Sequence, residues 1–171
     1  MDSVKEITVE PVPEVTDEVR VLLGELDRIL AAEYPPEQRH GLSLDEIFNP
    51  GVRFFLARSN GCSGGVRRLR ILRRLRRGKA HVCSRSRARP RGGQALLARI
   101  EREARDSGLV LLRLETGTRQ TAALTFYRRA GFQPCAAFGA YATMAAPAIA
   151  TSVFLETPRC RIDARQHLAS A

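Results

Sequence analysis

Val110-Leu111-Leu112-Arg113-Leu114-Glu115-Thr116-Gly117-Thr118-Arg119-Gln120, continued by Leu124-x-Phe126-Tyr127-Arg128-Arg129-Ala130-Gly131-Phe132, decides the fold. The apolar run Val110 to Glu115 predicts a strand, and Thr116-Gly117-Thr118 a turn. From Gln120 to Ala130 the pattern is helical. Gly131 stops that helix, because glycine takes up the left-handed conformation that ends one, and Phe132 opens another strand.

Working outward, Ile7-Thr8-Val9 reads as a first strand closed by Pro11 and Pro13. Thr16 and Asp17 are good helix-start residues. Leu22, Leu26, Ile29 and Leu30 then recur on one helical face until Pro35-Pro36 ends it. Ser43-x-x-Glu46 has the form of a capping box and predicts a short helix over Leu44 to Phe48. Phe54-Phe55-Leu56-Ala57 is a buried strand, and Asn60-Gly61 a hairpin turn that demands a returning strand. Beyond the middle of the chain, Leu96, Leu97, Ile100 and Ala104 form a helical stripe ended by Gly108, and Ser152 to Glu156 reads as a last strand. No internal repeat appears. The order β-α-α-β-turn-(broken)-α-β-α-β-β predicts a mixed α/β layer fold.

The 171 residues suit one domain, and 44% of them are hydrophobic, enough for a real core. No apolar run approaches the ~20 residues of a membrane span. Met1-Asp2-Ser3-Val4-Lys5-Glu6 lacks the basic-then-apolar start of a signal peptide, so a cytoplasmic location is expected. Cys62, Cys83, Cys135 and Cys160 show no C-x-x-C spacing, and only Cys83 has a nearby histidine, His81. Reduced, scattered thiols and no metal site are the expectation.

The net charge of +10 is unevenly placed. From Cys62 to Gly93 there are eleven arginines, one lysine and no acid, a block of +12, which leaves −2 for the rest. Regular patterning fails there. Arg67-Arg68-Leu69-Arg70-Ile71-Leu72-Arg73-Arg74-Leu75-Arg76-Arg77 is neither a clean alternation nor a helical stripe. In a buried strand each arginine needs a partner, and the segment contains no acid to supply one. A basic arm that binds nucleic acid is one reading of such a block. Against it, no aromatic residue that would stack on bases lies between Cys62 and Gly93.

The Leu112 to Gln120 run, the Tyr127-x-x-x-Gly131-Phe132 element, Pro134 and Phe138-Gly139-x-Tyr141 together resemble the C-terminal half of GNAT acetyltransferases, particularly small bacterial ones. The resemblance covers about Ile7 to Glu156, apart from the basic block. It implies a GNAT-type α/β fold: a mixed, mostly antiparallel central sheet flanked by helices, in one domain over residues 1–158, with a disordered tail over 159–171. It implies acetyl-CoA as co-substrate, bound by the strand before the central helix and by the loop joining them. That loop reads Arg/Gln-x-x-Gly-x-Gly/Ala in the family, where backbone amides and the helix N-terminus hold the pyrophosphate. This chain has Arg89-Pro90-Arg91-Gly92-Gly93-Gln94, with its glycines out of register.

A shift of reading frame would account for that mismatch, with a genuine arginine-rich arm as the alternative. Codons compatible with Arg77 to Ser84, read one base later, permit Glu-Val-Lys-Arg-Met-Tyr-Val, the strand the family expects. Those from Ala88 to Gly93 permit Arg-Gly-Arg-Gly-Val-Ala (or Gly), the missing loop, and Cys62 to Leu69 permit Ala-Ala-Val-Gly-Cys-Gly-Gly-Phe, a plausible return strand. One base change near Gly61, compensated just before Gln94, gives this sequence from such a gene.

The resemblance also implies the chemistry. A substrate amine attacks the acetyl thioester directly, and Tyr127 matches the family tyrosine that protonates the departing thiolate. Arg89, Arg91, Gly92 and Gly93 fall in the cofactor loop, and Gln120 is a candidate for holding the pantetheine or the acceptor. Glu115 is a candidate base, with a purely structural role as its alternative. Tyr34 to Pro50, holding His40, Asp45, Glu46 and Phe48, shapes the acceptor site in this fold but carries no diagnostic arrangement here. The expected acceptor is a small molecule, most simply an amine. Similar proteins carry a link to indole-3-acetic acid, and a homodimer is a further expectation.

Overall fold

The computed structural model describes residues 7–40, 43–59, 62–72, 79–85, 90–109 and 111–157, and for 59, 62–72, 79–85 and 90 it describes the backbone alone. The predicted Asn60-Gly61 turn residues, Arg89 and the tail after Pro158 lie outside the described residues, as do the side chains of Cys62, His81 and Cys83.

Seven strands form one sheet: β1 (Ile7–Pro11), β2 (Val52–Ser59), β3 (Cys62–Leu72), β4 (Lys79–Arg85), β5 (Leu111–Gly117), β6 (Gln133–Pro134) and β7 (Ser152–Glu156). Their spatial order is β1-β2-β3-β4-β5-β7-β6. Every neighbouring pair is antiparallel except β4 and β5, which run parallel and are joined by a helix, as parallel strands must be joined by a crossover. The mixed, mostly antiparallel sheet expected from the sequence is present.

The helices are α1 (Asp17–Glu33), α2 (Leu44–Ile47), α3 (Pro90–Asp106), α4 (Thr121–Arg129) and α5 (Ala146–Ile149). Thr16 caps α1, its hydroxyl accepting from the Val19 amide. Ser43 and Glu46 form the predicted capping box on α2. Gly131, at φ +83°, ends α4 where the pattern placed its stop, and Gly108, at φ +69°, follows α3.

Alternation along β2 separates the two layers that cover the sheet. Phe55 and Ala57 join Leu96, Leu97, Ile100 and Ala104 of α3, Tyr127 of α4, and Leu112, Leu114 and Leu155 from β5 and β7 in one buried cluster. Phe54 and Leu56 point the other way, against Val19 of α1 and Ile47 of α2. Both clusters cover the sheet, one on each face.

Four boundaries differ from the sequence reading. The basic block is not a break in the fold: β3 and β4 pair through it over seven positions, from Val66 with Arg85 to Leu72 with Lys79. Ser59 pairs with Cys62, which sets the predicted two-residue hairpin. α3 begins at Pro90, before the apolar stripe that announced it. Proline costs nothing at a first helical position, whose amide has no helical partner in any case. Thr116 and Gly117, read as turn, are the last two residues of β5, where pairing to Val153 and Ser152 overrides their turn propensity. The strand opened by Phe132 shrinks to Gln133–Pro134, since Pro134 has no amide to extend a ladder.

Candidate active site

The β4–β5 ladder runs from Lys79 paired with Leu111 to Cys83 paired with Glu115. Beyond that pair the two strands follow different neighbours. Ser84 and Arg85 continue on β3, whereas Thr116 and Gly117 continue on β7. Two parallel strands that part at their C-terminal ends leave a gap in the middle of the sheet. α3 begins at Pro90, just after β4. Its first-turn amides at Arg91, Gly92 and Gly93 have no partners within the helix and carry the positive end of its dipole. Arg91 is exposed, Gly92 half-buried and Gly93 buried. A helix that starts just after the C-terminal end of a parallel strand is the kind of place where α/β sheets bind anionic ligands.

The two faces of β5 differ sharply. On the α3/α4 face stand Leu112, Leu114 and Thr116, all but closed to solvent. Tyr127 lies in the same layer at 0% exposure, its ring edge-on to Phe126 and Phe132 at centroid distances of 5.2 and 5.3 Å. The Thr116 hydroxyl is buried with no hydrogen-bond partner among the described residues.

On the opposite face stand Arg113, Glu115 and Gly117, and here the polar groups are paired. Arg113 Nε donates to Glu156 at 2.7 Å and its guanidinium lies over the Phe138 ring. Ser152 Oγ donates to Glu115 Oε1 at 2.7 Å. Tyr34, at the end of α1, lies against Gly117 so closely that a Cβ there would overlap its Oη and Cζ. The Arg119 amide donates to Tyr34 Oη at 2.9 Å, Arg119 Nη1 donates to the Glu33 carbonyl at 2.8 Å, and the Gln120 side-chain amide donates to the Glu33 carboxylate. The end of α1 thus clamps the turn leading into α4. Further along this face, His40 Nε2 lies 2.9 Å from the Ala148 carbonyl and edge-on to Tyr141, which joins Phe138 and Phe154 in an aromatic cluster. Beside it, burial pushes the Cys135 thiol above its ordinary range, nearby Glu156 adds to the rise, and Arg113 opposes it more weakly.

Arg91, Gly92 and Gly93 lie in the first turn of α3, and Tyr127 lies in the buried layer formed with α3. Gln120 holds Glu33 through its amide, and Glu115 faces the Ser152 side rather than the Tyr127 side. Glu46 is occupied by its own capping box, and Phe48 packs on Phe54. Arg89 is outside the described residues. Sequence reasoning placed Tyr34 only at the edge of the acceptor region, without its contact to the turn before α4, and took Thr116 as part of a turn. Tyr34 and Arg119 are 85 positions apart, and no local pattern links residues that distant. Among the described residues no cluster of acids, histidines and cysteines is arranged to hold a metal ion, and no helix is long and apolar enough to cross a membrane.

A model of the acetyltransferase (GNAT) family matches residues 23–132. An IAA acetyltransferase from Azospirillum brasilense is 38% identical over 140 residues, which cover 79% of this chain and 90% of that protein. Among solved structures, a candidate acyl-CoA N-acyltransferase from Klebsiella pneumoniae is 26% identical with a TM-score of 0.64, covering 89% of this chain and 97% of the other. An IAA acetyltransferase from Bacillus cereus shares the fold at 18% identity and a TM-score of 0.58, covering 89% and 99% of the two chains. With parallel strands whose pairing ends before their C-termini and a family match over most of its length, the chain belongs to the GNAT family of acetyltransferases.

Proposed function

We propose that this acetyltransferase takes its acetyl group from acetyl-CoA and passes it directly to a small-molecule amine. The observation that carries the reading is the end of the β4–β5 ladder at Cys83 and Glu115, with α3 starting just beyond. The pyrophosphate sits on the α3 amides with Arg89, Arg91, Gly92 and Gly93 around it, and the pantetheine arm enters between the strands. The amine nitrogen attacks the thioester carbonyl carbon, a C–N bond forms as the C–S bond breaks, and Tyr127 supplies the proton that the thiolate takes. Gln120, through the oxygen its bond to Glu33 leaves over, is placed to receive pantetheine or acceptor. The proton lost by the ammonium goes to Glu115 or to water. Calorimetric titration with acetyl-CoA, then thiol release with a panel of amines, tests this. Saturable binding with amine-dependent release supports it, and no binding refutes it.

The name of the Azospirillum brasilense relative favours a second reading, an acceptor related to indole-3-acetic acid. That acid offers no simple amine, so its place in the same panel separates the two readings.

The basic block belongs to this proposal. Arg67, Arg68 and Arg70 occupy β3 positions paired with Phe55, Phe54 and Val52, beside a strand whose residues Phe54 to Ala57 are at most 3% exposed. A segment with eleven arginines and no acid is costly there, and its one-base-shifted reading restores an apolar strand and the Arg-Gly-Arg-Gly loop ahead of α3. The reading proposed for the gene is two compensating base changes, near codons 61 and 93. Resequencing between codons 60 and 94 decides it. Confirmed codons refute the frame reading, and a nucleic-acid affinity that falls steeply with salt would then identify a basic arm.

A further inference from the structure

We infer that the Thr116 hydroxyl is a ligand-binding group, contributing a hydrogen bond to an amide of the donor's pantetheine arm. The inference rests on the acetyl-CoA reading above.

Two independent observations meet at this residue. Thr116 is 2% exposed, and its buried hydroxyl has no hydrogen-bond partner among the described residues. A buried, unpaired hydroxyl destabilises the protein that carries it, whereas valine of the same shape does not. The second observation is position. Cys83 and Glu115 are the last paired residues of the β4–β5 ladder, so Thr116 is the first β5 residue past the point where the strands part. Strand alternation puts its side chain with Leu112 and Leu114, on the face that holds Tyr127. The hydroxyl therefore lies on the Tyr127 side of β5, at the level where the two strands part.

An apolar slot with one well-placed polar group is how proteins fix the orientation of a slender ligand. The pantetheine arm is a chain of methylenes interrupted by two amides. A threonine hydroxyl serves either half of an amide, donating to the carbonyl or accepting from the N–H. Leu112 and Leu114, the preceding residues on the same face of β5, have nothing to offer an amide. On this account the hydroxyl lacks a partner because the partner arrives with the donor.

The test compares the parent chain with Thr116→Val and Thr116→Ser, using two probes: acetyl-CoA, and adenosine 3′,5′-bisphosphate, which keeps the nucleotide but lacks the arm. Without ligand, Thr116→Val melts as high as the parent or about 2–4 °C higher, because it removes an unsatisfied group. Its acetyl-CoA dissociation constant rises about tenfold, the loss of one hydrogen bond. Its affinity for the bisphosphate is unchanged, and Thr116→Ser binds acetyl-CoA nearly as the parent does. Equal acetyl-CoA affinity in parent and Thr116→Val overturns the inference, as does a loss shared equally by both probes. A fall in melting temperature in Thr116→Val overturns it too, since that reveals a partner already present in the free protein. A parent chain that binds neither probe overturns the acetyl-CoA reading and this inference together.

Discussion

The two faces of β5 are one residue apart and treat polarity in opposite ways. On the α1 side Glu115 has Ser152, Arg113 has Glu156, and the Gly117–Gln120 turn is held at three points by Glu33 and Tyr34. On the α3/α4 side Thr116 has a hydroxyl without a hydrogen-bond partner among the described residues, and Tyr127 is enclosed among leucines and phenylalanines. Folding needs the first kind of polar group, because each bond fixes one segment against another. Folding alone does not need a hydroxyl like that of Thr116, since an apolar side chain of the same shape would be at least as stable. Polar groups buried on the α3/α4 face are therefore the ones to question for chemistry, and those on the latched face for architecture.

The sharpest test of that division is Tyr127→Phe. If Tyr127 is the proton donor, turnover falls about 10²- to 10³-fold while the acetyl-CoA dissociation constant stays within a few-fold, since a phenyl ring fills the same volume. Steady-state rates combined with calorimetric titration separate the two. An acetyl thioester with a more acidic thiol should recover much of the lost rate, because its thiolate needs no proton to depart. A variant that loses stability and binding along with rate would move Tyr127 to the architectural side.

Gly117→Ala attacks the latched face. The new methyl overlaps Tyr34 Oη and Cζ, and Tyr34 is a buried ring that cannot swing aside without releasing the Arg119 amide. Overpacking of this kind costs about 1–3 kcal/mol, read as a lower urea midpoint at constant slope. Tyr34→Phe in the same background should relieve part of the clash, so the two changes are non-additive in a double-mutant cycle. By itself, Tyr34→Phe removes one hydrogen bond and leaves the Arg119 N–H seeking another partner, for about 1 kcal/mol. Equal effects of Tyr34→Phe and Tyr127→Phe on turnover would erase the distinction between the faces.

How much of this was legible from the sequence follows from the range of the forces involved. Caps, stops and strands are local, so Thr16, Ser43-x-x-Glu46, Gly131 and Ser152 to Glu156 announced themselves. The motif around Tyr127 was legible for the same reason. Thr116 and Gly117 were misplaced because their turn propensity is local, while the strand they join is fixed by partners 36 residues or so away in β7. The clamp of Glu33 and Tyr34 on Arg119 and Gln120 was invisible, because nothing near Pro35-Pro36 records what the helix end will touch. The basic block misled in the other direction: its composition argued against a strand, and the sheet continues through it.

A third kind of polar group, paired but near solvent, sets the small end of the scale. Glu103 on α3 receives Arg99 from one turn earlier and Arg53 from β2. Burial alone would raise its carboxyl, but the hydrogen bonds from Arg99 and Arg53 outweigh that and hold it below the usual glutamate range. A carboxyl depressed in the folded state stabilises above the unfolded glutamate value, near 4.3, and that contribution is lost as pH falls through the lower folded value. Arg53 is half-exposed, so screening limits the effect to about 1 kcal/mol or less. Glu103→Gln should therefore unfold at lower urea than the parent at pH 7, and the two midpoints should converge as the buffer is taken below pH 4. A gap that persists at low pH would mean that packing, and not charge, holds this corner of α3, and Glu103 would then behave like the latched groups of the α1 face.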